Sequence, residues 1–482
     1  MTLKHSKHLI VGLLFALTGC QEGDTIISPA VTIDNQLASI ITSNDLTGDP
    51  VGDLTLPSIN DPKAKLGMKL FFTKSLGGVN DSACVTCHHP ALGGGDNLSL
   101  PIGVEAIDPN LLGEGRVYDP SGLFYDNGFA LVPRNAPTTY NVALWKRSLF
   151  WDGRIENVVD NGVVQGIRTP DSDFGVIDPK AGANLAVAQA RFPVTSRDEM
   201  RSTFEENSSN DQIRTHLALR LSDTTASDYI ANTWNEEFSP VYGENSITYA
   251  NISDAIGEYE QSQVFVNNPW NDYIKGNKSA LSDSAKRGAK LFFDSYGDGG
   301  MSCVSCHSSD FFSDESFHAM AMPQVGVGKN ENADDLGRFN ETKTEKYAFR
   351  TPSLLNVEMT GPWGHAGGYT TLEAVVRHMV NPETAIQNYD AAQLNENVNT
   401  QNFVVNTNKA LAQLKSDRAV GISTHQSVEA SDAQIDDLVS FLQALTDPCL
   451  KDKECIGKWI PQNEVGPDSL QLNATDKDGN LI

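Results

Sequence analysis

A five-residue pattern, Cys-x-x-Cys-His, occurs twice in the chain and constrains its fold more than any other feature. The pattern comprises Cys84, Cys87 and His88 in the first copy and Cys303, Cys306 and His307 in the second. Two thiols at this spacing match the two vinyl groups of one porphyrin, and the adjacent histidine then reaches the iron. A zinc site or a disulfide would leave both histidines unexplained. The sequence therefore predicts two covalently attached haem c groups.

Residues 1–19 have the features of a secretory signal peptide. Lys4 and Lys7 supply a positively charged start, and the apolar run that follows is too short to cross a bilayer as a helix. The run ends in Leu-Thr-Gly-Cys, which resembles the bacterial lipobox, so Cys20 is expected to become the lipidated first residue. The alternative is an ordinary signal peptide in which Cys20 is incidental.

Export suits the two motifs, because haem c is attached outside the bacterial cytoplasm. Gln21 after the cysteine, in place of Asp, indicates sorting to the outer membrane. The protein is thus expected to be exported and lipid-anchored to the outer membrane, facing the periplasm, with Cys20 as its sole membrane contact. Residues 20–50 are polar and loop-like, and they are interpreted as a flexible tether.

The charge balance restricts the partners of the chain. Acidic residues outnumber basic ones by 62 to 36, which gives a net charge of −26. Such a surface argues against nucleic acid or anionic lipid as a partner and mildly favours a cationic one, although solubility explains most of the excess.

A repeat indicates that the chain is built twice. Residues 67–72 and 288–293 both combine Gly, Lys and Leu-Phe-Phe ahead of a Cys-x-x-Cys-His motif. Each half also has a candidate closing helix with apolar residues at helical spacing. One spans residues 249–264, and the other follows a capping box that begins at Ser431. The predicted fold is mostly α, with two cytochrome-c-like haem domains in tandem and long loops.

The predicted domains are residues 51–270 with the first haem, residues 271–447 with the second haem, and a C-terminal extension at 448–482. Cys449 and Cys455 lie close together in the extension, and in an oxidising compartment they are expected to form a disulfide that staples it.

From residue 57 to residue 461 the chain resembles the bacterial di-haem cytochrome c peroxidases and their MauG-type relatives. The resemblance is carried by Arg-Asn-Ala-Pro-Thr at 134–138, Phe-Trp-Asp-Gly-Arg at 150–154, Phe-Arg-Thr-Pro-Ser-Leu at 349–354, Thr-Gly-Pro at 360–362, His-Ala-Gly at 365–367 and the segment 447–461.

The resemblance implies roles for residues around the first haem. Trp151 matches the tryptophan that lies between the two haems, although a buried core tryptophan is the alternative. Gln189, Pro193 and Glu199 match residues that line the distal face of the first haem, with a solvated Glu199 as the alternative. About thirty extra residues, roughly 155–183, separate this segment from residue 154, but the spacing within it is kept.

The resemblance also implies ligands for the second haem and a calcium ion. Met379 falls at the position of the second axial ligand, and the adjacent His378 is the competing candidate. Asn135, Thr360 and Pro362 match positions that hold a calcium ion between the domains, and their oxygen donors suit that ion.

The expected chemistry follows from an open first haem. Classical peroxidases have a second histidine where this chain has Val104, so no sixth ligand is expected there. An open haem beside the Glu199 carboxylate predicts reduction of hydrogen peroxide, with electrons from a small cytochrome c or cupredoxin. MauG-like oxidation of a side chain on a partner protein is the alternative, and a non-catalytic di-haem electron carrier is the second alternative.

Overall fold

The computed structural model describes residues 32–125, 127–395, 397–462 and 465–482. The predicted signal peptide and Cys20 lie outside the described residues. The chain is mostly helical, as predicted. Its α-helices are α1 (Ile33–Ser43), α2 (Pro62–Phe72), α3 (Leu185–Gln189), α4 (Asn210–Ser222), α5 (Trp234–Tyr242), α6 (Tyr249–Gln261), α7 (Pro269–Ile274), α8 (Asp283–Phe293), α9 (Phe339–Thr342), α10 (Leu372–Val380), α11 (Pro382–Gln387), α12 (Phe403–Ala419), α13 (Asp432–Gln443) and α14 (Lys453–Ile456).

Two small antiparallel sheets accompany the helices. They are formed by β1 (Ser148–Leu149), β2 (Ile155–Asp160) and β3 (Val163–Arg168), and by β4 (Phe317–Ala319) and β5 (Ala348–Arg350). The hairpin of β2 and β3 forms the first half of the predicted insertion, and Glu156 pairs with Arg168 at its base. Its Asn161-Gly162 turn has positive φ at both residues, which is the geometry that tight hairpins require.

Two similar helical units form the body of the protein, and each is built on a pair of crossing helices. The Cβ of an alanine at Gly67 of α2 would lie 1.9 Å from the Ala255 carbonyl oxygen of α6. Gly288 of α8 stands in the same relation to the Asp437 carbonyl oxygen of α13, again at 1.9 Å. A glycine at each crossing therefore lets the two backbones touch. The predicted closing helices are confirmed as α6 and α13, and α13 begins with the predicted Ser431 capping box.

The segment predicted as a tether is partly folded. Within residues 32–50, α1 packs against α8 of the second unit, and Leu37 is completely buried in that unit's core. Asp34 accepts a hydrogen bond from the Tyr273 hydroxyl at 2.6 Å and pairs with Lys286 at 3.0 Å. The prediction of a flexible tether is therefore wrong for these residues, because buried apolar contacts and an ion pair fix the helix. Residues 20–31 lie outside the described part.

The boundary between the units lies slightly before the predicted one. Residues 270 and 271 fall inside α7, where the fully buried Trp270 stacks on Phe293 and packs edge-on against Phe441. Since all three rings belong to one core, α7 is part of the second unit.

The C-terminal extension runs back across the first unit. The predicted Cys449–Cys455 disulfide is present. Further on, the Leu472 amide donates to the Phe72 carbonyl at 2.7 Å, and the buried Leu472 side chain joins the core of the first unit. Asp468 fixes the segment by accepting hydrogen bonds from the hydroxyls of Thr73 and Ser75 and from the Trp234 indole. Among the described residues, no helix combines the length and apolar character needed to cross a bilayer.

Candidate active site

A cavity of about 440 Å³ contains the first Cys-x-x-Cys-His motif. Cys84 begins a short 3-10 turn just beyond α2, and this turn directs both cysteines and the histidine toward the cavity. The predicted residues that line it are Cys84, Cys87, His88, Asn135, Trp151, Gln189, Pro193 and Glu199. The volume is in the usual range for small-molecule and cofactor sites.

The two motif histidines are held in the same way. Nδ1 of His88 lies 3.1 Å from the Gly94 carbonyl oxygen, and Nδ1 of His307 lies 3.0 Å from the Phe312 carbonyl oxygen. A carbonyl can only accept, so Nδ1 carries the proton and Nε2 keeps its lone pair. Burial lowers the pKa of both imidazoles, which favours the neutral ligand form. The four motif cysteines are unpaired. Both donor sets therefore fit a haem c group.

The distal residues come from a short stretch of chain that bends around the cavity. Gln189 ends α3, Pro193 starts a 3-10 turn, and Glu199 lies in the π-helical turn Arg197–Arg201. Burial raises the pKa of the Glu199 carboxyl, while the positive charges of Arg154 and Lys329 act against that rise. Glu199 is thus a partly desolvated carboxyl group close to two cations, and a carboxyl group in such surroundings can transfer a proton.

Trp151 lies at the seam between the two units. Its indole Nε1 donates to the Asn135 carbonyl at 2.9 Å, and its own carbonyl accepts from the Arg350 amide of the second unit at 2.9 Å. The Asn135 amide in turn donates to the His365 carbonyl at 2.8 Å. Backbone hydrogen bonds from both units therefore fix the tryptophan on the wall of the first cavity.

A buried cluster of charged residues lies beside Trp151, and the sequence did not predict it. The Asp152 carboxylate is fully buried and contacts Arg134 at 2.6 Å, Arg154 at 3.2 Å and Lys329 at 3.4 Å. Burial opposes ionisation of Asp152, but these cations hold its pKa well below the usual range. Arg134 also pairs with Asp335 at 2.7 Å. Three residues of this charge cluster, Arg134, Asp152 and Arg154, lie in the segment 134–154 that the sequence analysis singled out. Lys329 and Asp335 come from the second unit, and no sequence pattern predicted their contribution.

The two candidate ligands for the second site have different surroundings. His378 is fully buried, and its Nδ1 lies 2.7 Å from the Tyr369 hydroxyl while its Nε2 lies 2.8 Å from the Met320 carbonyl. Both imidazole nitrogens are therefore engaged. Met379 is partly buried and packs against the apolar core that also receives Cys303.

The residues matched to a calcium site lie at the same seam. The Asn135 amide nitrogen donates to the carbonyls of Leu98 and Ser99, which fixes the side chain and turns its oxygen the other way. The Thr360 hydroxyl bonds the Val357 carbonyl at 3.4 Å, and Pro362 follows a cis peptide bond.

Within the described residues, Cys306, Asp314 and His318 bring three potential metal-ligating atoms within 4.8 Å of one another. Nε2 of His318 lies 2.7 Å from Asp314, and the hydrogen bonds to Asp314 and Cys306 raise the pKa of His318 to about 10. A protonated imidazole has no lone pair for a metal. This group is an ion pair beside the second motif.

A larger open cleft, of about 1210 Å³, lies between the C-terminal extension and the loop around Pro362. It contains neither motif. His89 lines it but is fully buried, accepts the Ala91 amide at Nδ1, and has its pKa lowered by burial to about 3. His89 therefore has a structural role in the motif turn.

Comparisons with known proteins find similar sequences. A family model described as di-haem cytochrome c peroxidase matches residues 61–279. A methylamine utilization protein MauG from Methylophilus methylotrophus is 26% identical over 316 residues, which are 66% of this chain and 71% of the relative. A cytochrome c551 peroxidase from Pseudomonas aeruginosa is 25% identical over 377 residues, which are 78% of this chain and 85% of the relative.

Solved structures share the fold. The diheme peroxidase BthA from Burkholderia thailandensis superimposes with a TM-score of 0.52 at 18% identity, covering 88% of this chain and 92% of that one. A MauG-like protein associated with microbial copper homeostasis gives a TM-score of 0.51 at 18% identity, covering 84% and 97%. Taken with the sequence matches, the chain is similar to the di-haem cytochrome c peroxidases and MauG proteins in sequence and in fold.

Proposed function

We propose that the protein is a di-haem c-type peroxidase that reduces hydrogen peroxide with electrons from a small redox protein, a cytochrome c or a cupredoxin. One observation carries the proposal. Glu199, Gln189 and Pro193 line the same cavity as His88, and Trp151 also lies on the wall of that cavity. Two haem c groups in tandem domains would supply the irons that bind peroxide and exchange electrons.

The distal carboxyl group performs the proton transfer. Glu199 takes a proton from peroxide at a carboxylate oxygen and returns it to the departing oxygen, which is general acid–base catalysis. Arg154 and Lys329 keep Glu199 able to ionise despite its burial. Val104 supports an open first site, since it is completely buried in an apolar cluster and does not line the cavity.

Trp151 and Met379 complete the proposed electron path. Trp151 bridges the units through Asn135 on one side and Arg350 on the other. Met379 is proposed to hold the second haem together with His307, because both nitrogens of His378 already have partners. A thioether ligand stabilises ferrous iron, so the second site would store an electron.

Three further properties belong to the proposal and rest on the sequence. A calcium ion is proposed at the oxygen atoms of Asn135, Thr360 and Pro362. Export and lipidation at Cys20 are proposed to anchor the protein to the outer membrane, facing the periplasm. The redox partner would dock from solution, and nucleic acid is not expected to bind a chain of net charge −26.

Substitution of Glu199 tests the catalytic assignment. Glu199→Gln should slow the reaction with one equivalent of peroxide in stopped-flow spectra by about 10²–10⁴-fold, because the proton shuttle is lost. Trp151→Ala should leave that first reaction near normal but slow steady-state turnover with a reduced cytochrome. Glu206→Gln, at an exposed carboxylate on the same stretch, is the matched control. A parent-like peroxide reaction in Glu199→Gln would refute the distal assignment.

Oxidation of a side chain on a partner protein is the second candidate. The observation that favours it is the buried Val104, which offers no side-chain ligand to the first haem at the position where classical peroxidases have a histidine. Turnover of peroxide with reduced cytochrome c or cupredoxin supports the first candidate. Consumption of peroxide only when a protein substrate becomes oxidised would support the second.

A further inference from the structure

One buried carboxyl group in the first cavity has no role in the chemistry described so far. Glu260 lies near the end of α6 and is 3% exposed. It lines the cavity together with Cys84 and His88. Its Oε2 is buried without a hydrogen-bond partner among the described residues. A buried carboxyl oxygen without a hydrogen-bond partner lowers the stability of the folded protein, unless a group bound in the cavity interacts with it.

The second unit shows that the fold does not require this carboxyl group. Gly67 touches α6 at Ala255 and Tyr259, and Gly288 touches α13 at Asp437 and Phe441, so the two helix crossings correspond residue by residue. The residue after Tyr259 is Glu260, and the residue after Phe441 is Leu442. Leu442 is 6% exposed and packs in the apolar core of its unit. The same structural position thus carries a leucine in one unit and a buried acid in the other.

The surroundings of Glu260 favour its protonated form. Burial raises the pKa of Glu260 to about 8. The titratable groups affected by its charge are the Cys84 thiol and the Tyr259 hydroxyl. On the outer side of the helix packing, Asp254 and Glu258 pair with Lys63 of α2. The remaining ionisable residues on the cavity wall are Arg134, Arg154, Asp198, Glu199 and Lys329.

A second buried acid lies near the first motif and has to be separated from Glu260. Asp96 is 2% exposed, accepts the Leu98 amide at 3.0 Å, and does not line the cavity. Burial raises its pKa to about 7, and Arg116 acts against the rise.

We propose that Glu260 is the proton acceptor that couples reduction of the first haem to uptake of one proton. The inference rests on the proposed function, since it requires a haem at Cys84, Cys87 and His88. One electron arrives from a one-electron donor, a redox protein or an electrode, and lowers the positive charge beside the carboxylate. One proton from water then binds Glu260, and the carboxylate becomes a carboxylic acid. No other bond forms or breaks.

The test is a spectroelectrochemical titration of both haems in the intact holoprotein, at several pH values around 8. In the parent protein the midpoint potential of the first haem should fall with rising pH by up to about 59 mV per unit, the value for one proton per electron. The second haem, whose unit has Leu442 at this position, is the internal reference and should show no such slope in this range.

Two substitutions separate the carboxyl group from its neighbours. Glu260→Gln keeps the shape and Glu260→Leu copies the second unit, and both should abolish the slope of the first haem around pH 8. Glu260→Leu should also unfold at or above the parent temperature, because a buried acid is replaced by an apolar side chain. Glu258→Gln is the control on the same helix and should keep the slope.

Several results would overturn the inference. The slope could persist in both Glu260 variants, or it could vanish in Asp96→Asn while Glu260→Gln retains it. Failure of both variants to fold and take up haem would also contradict it, since Leu442 shows that the fold accepts an apolar residue. If the slope depends on Glu260 but the protein turns over no peroxide, the inference stands and the proposed function fails.

Discussion

Removal of the Asp468 carboxylate is expected to destabilise the first unit and release the C-terminal extension. Asp468 is 4% exposed, and its Oδ2 accepts from Thr73 at 2.8 Å, Ser75 at 2.6 Å and Trp234 at 2.8 Å. Its Oδ1 also accepts the Leu470 amide at 3.0 Å. Asp468→Ala would leave these donors buried without an acceptor.

The loss of unfolding free energy can be estimated from the donors that cannot turn toward another acceptor. The two hydroxyls can rotate toward other acceptors, whereas the Trp234 indole N–H is fixed by a fully buried ring. An unsatisfied buried donor costs about 1–3 kcal/mol, and hydrogen bonds to a charged acceptor contribute about 1.5–3 kcal/mol each. With partial relaxation, the loss is about 3–5 kcal/mol, which corresponds to a fall in Tm of about 10 °C for a unit of this size.

Thermal unfolding followed by circular dichroism, together with limited proteolysis of the extension, measures this effect. Asp478→Ala is the matched control, because Asp478 lies in the same extension and is exposed. If Asp468→Ala unfolds within a degree or so of the control and its extension resists protease equally, then the carboxylate does not fix the extension and the reasoning fails.

Two further predictions concern the second site and a surface histidine. Met379→Ala should convert the second haem from low to high spin and lower its reduction potential. If His378→Ala causes these changes and Met379→Ala leaves the haem spectrum as in the parent protein, then His378 is the ligand. His216 lies 2.8 Å from Glu205 and 2.9 Å from Asp228; burial opposes protonation, but these carboxylates raise its pKa above the usual value. Its contribution of about 1 kcal/mol is fully present below about pH 6.5 and is lost as pH rises through the raised pKa. Urea unfolding of His216→Gln should therefore differ from the parent in acid and match it in alkali, and equal differences at both pH values would contradict the ion pairs.

The sequence predicted those features whose signals are local. The Cys-x-x-Cys-His motifs, the Ser431 capping box and the apolar spacing of α6 and α13 each occupy one short stretch, and each is present in the structure. The hairpin of β2 and β3 also had a local signal, the Asn161-Gly162 turn between valine-rich segments, which was overlooked.

Features that depend on distant partners were missed for a physical reason. Residues 33–43 have a local helix signal that was overlooked, since Thr32 caps a segment with Ile33, Leu37, Ile40 and Ile41 at helical spacing. The contacts that fix α1, however, come from α8, which covers Leu37 and supplies Lys286 to Asp34. Lys329 likewise has a role in the first cavity because its loop crosses from the second unit to Asp152, 177 residues away. No local pattern encodes such a contact.

Each end of the described chain packs on the unit that is farther away in sequence. Helix α1 completes the core of the second unit, and the extension around Leu472 completes the core of the first. During synthesis or export from the N-terminus, the first unit thus lacks part of its core until the last segment emerges, after the second unit is nearly whole. The extension therefore completes the first core last. A product truncated before Asp468 would carry both motifs but would leave the first core exposed to solvent and protease.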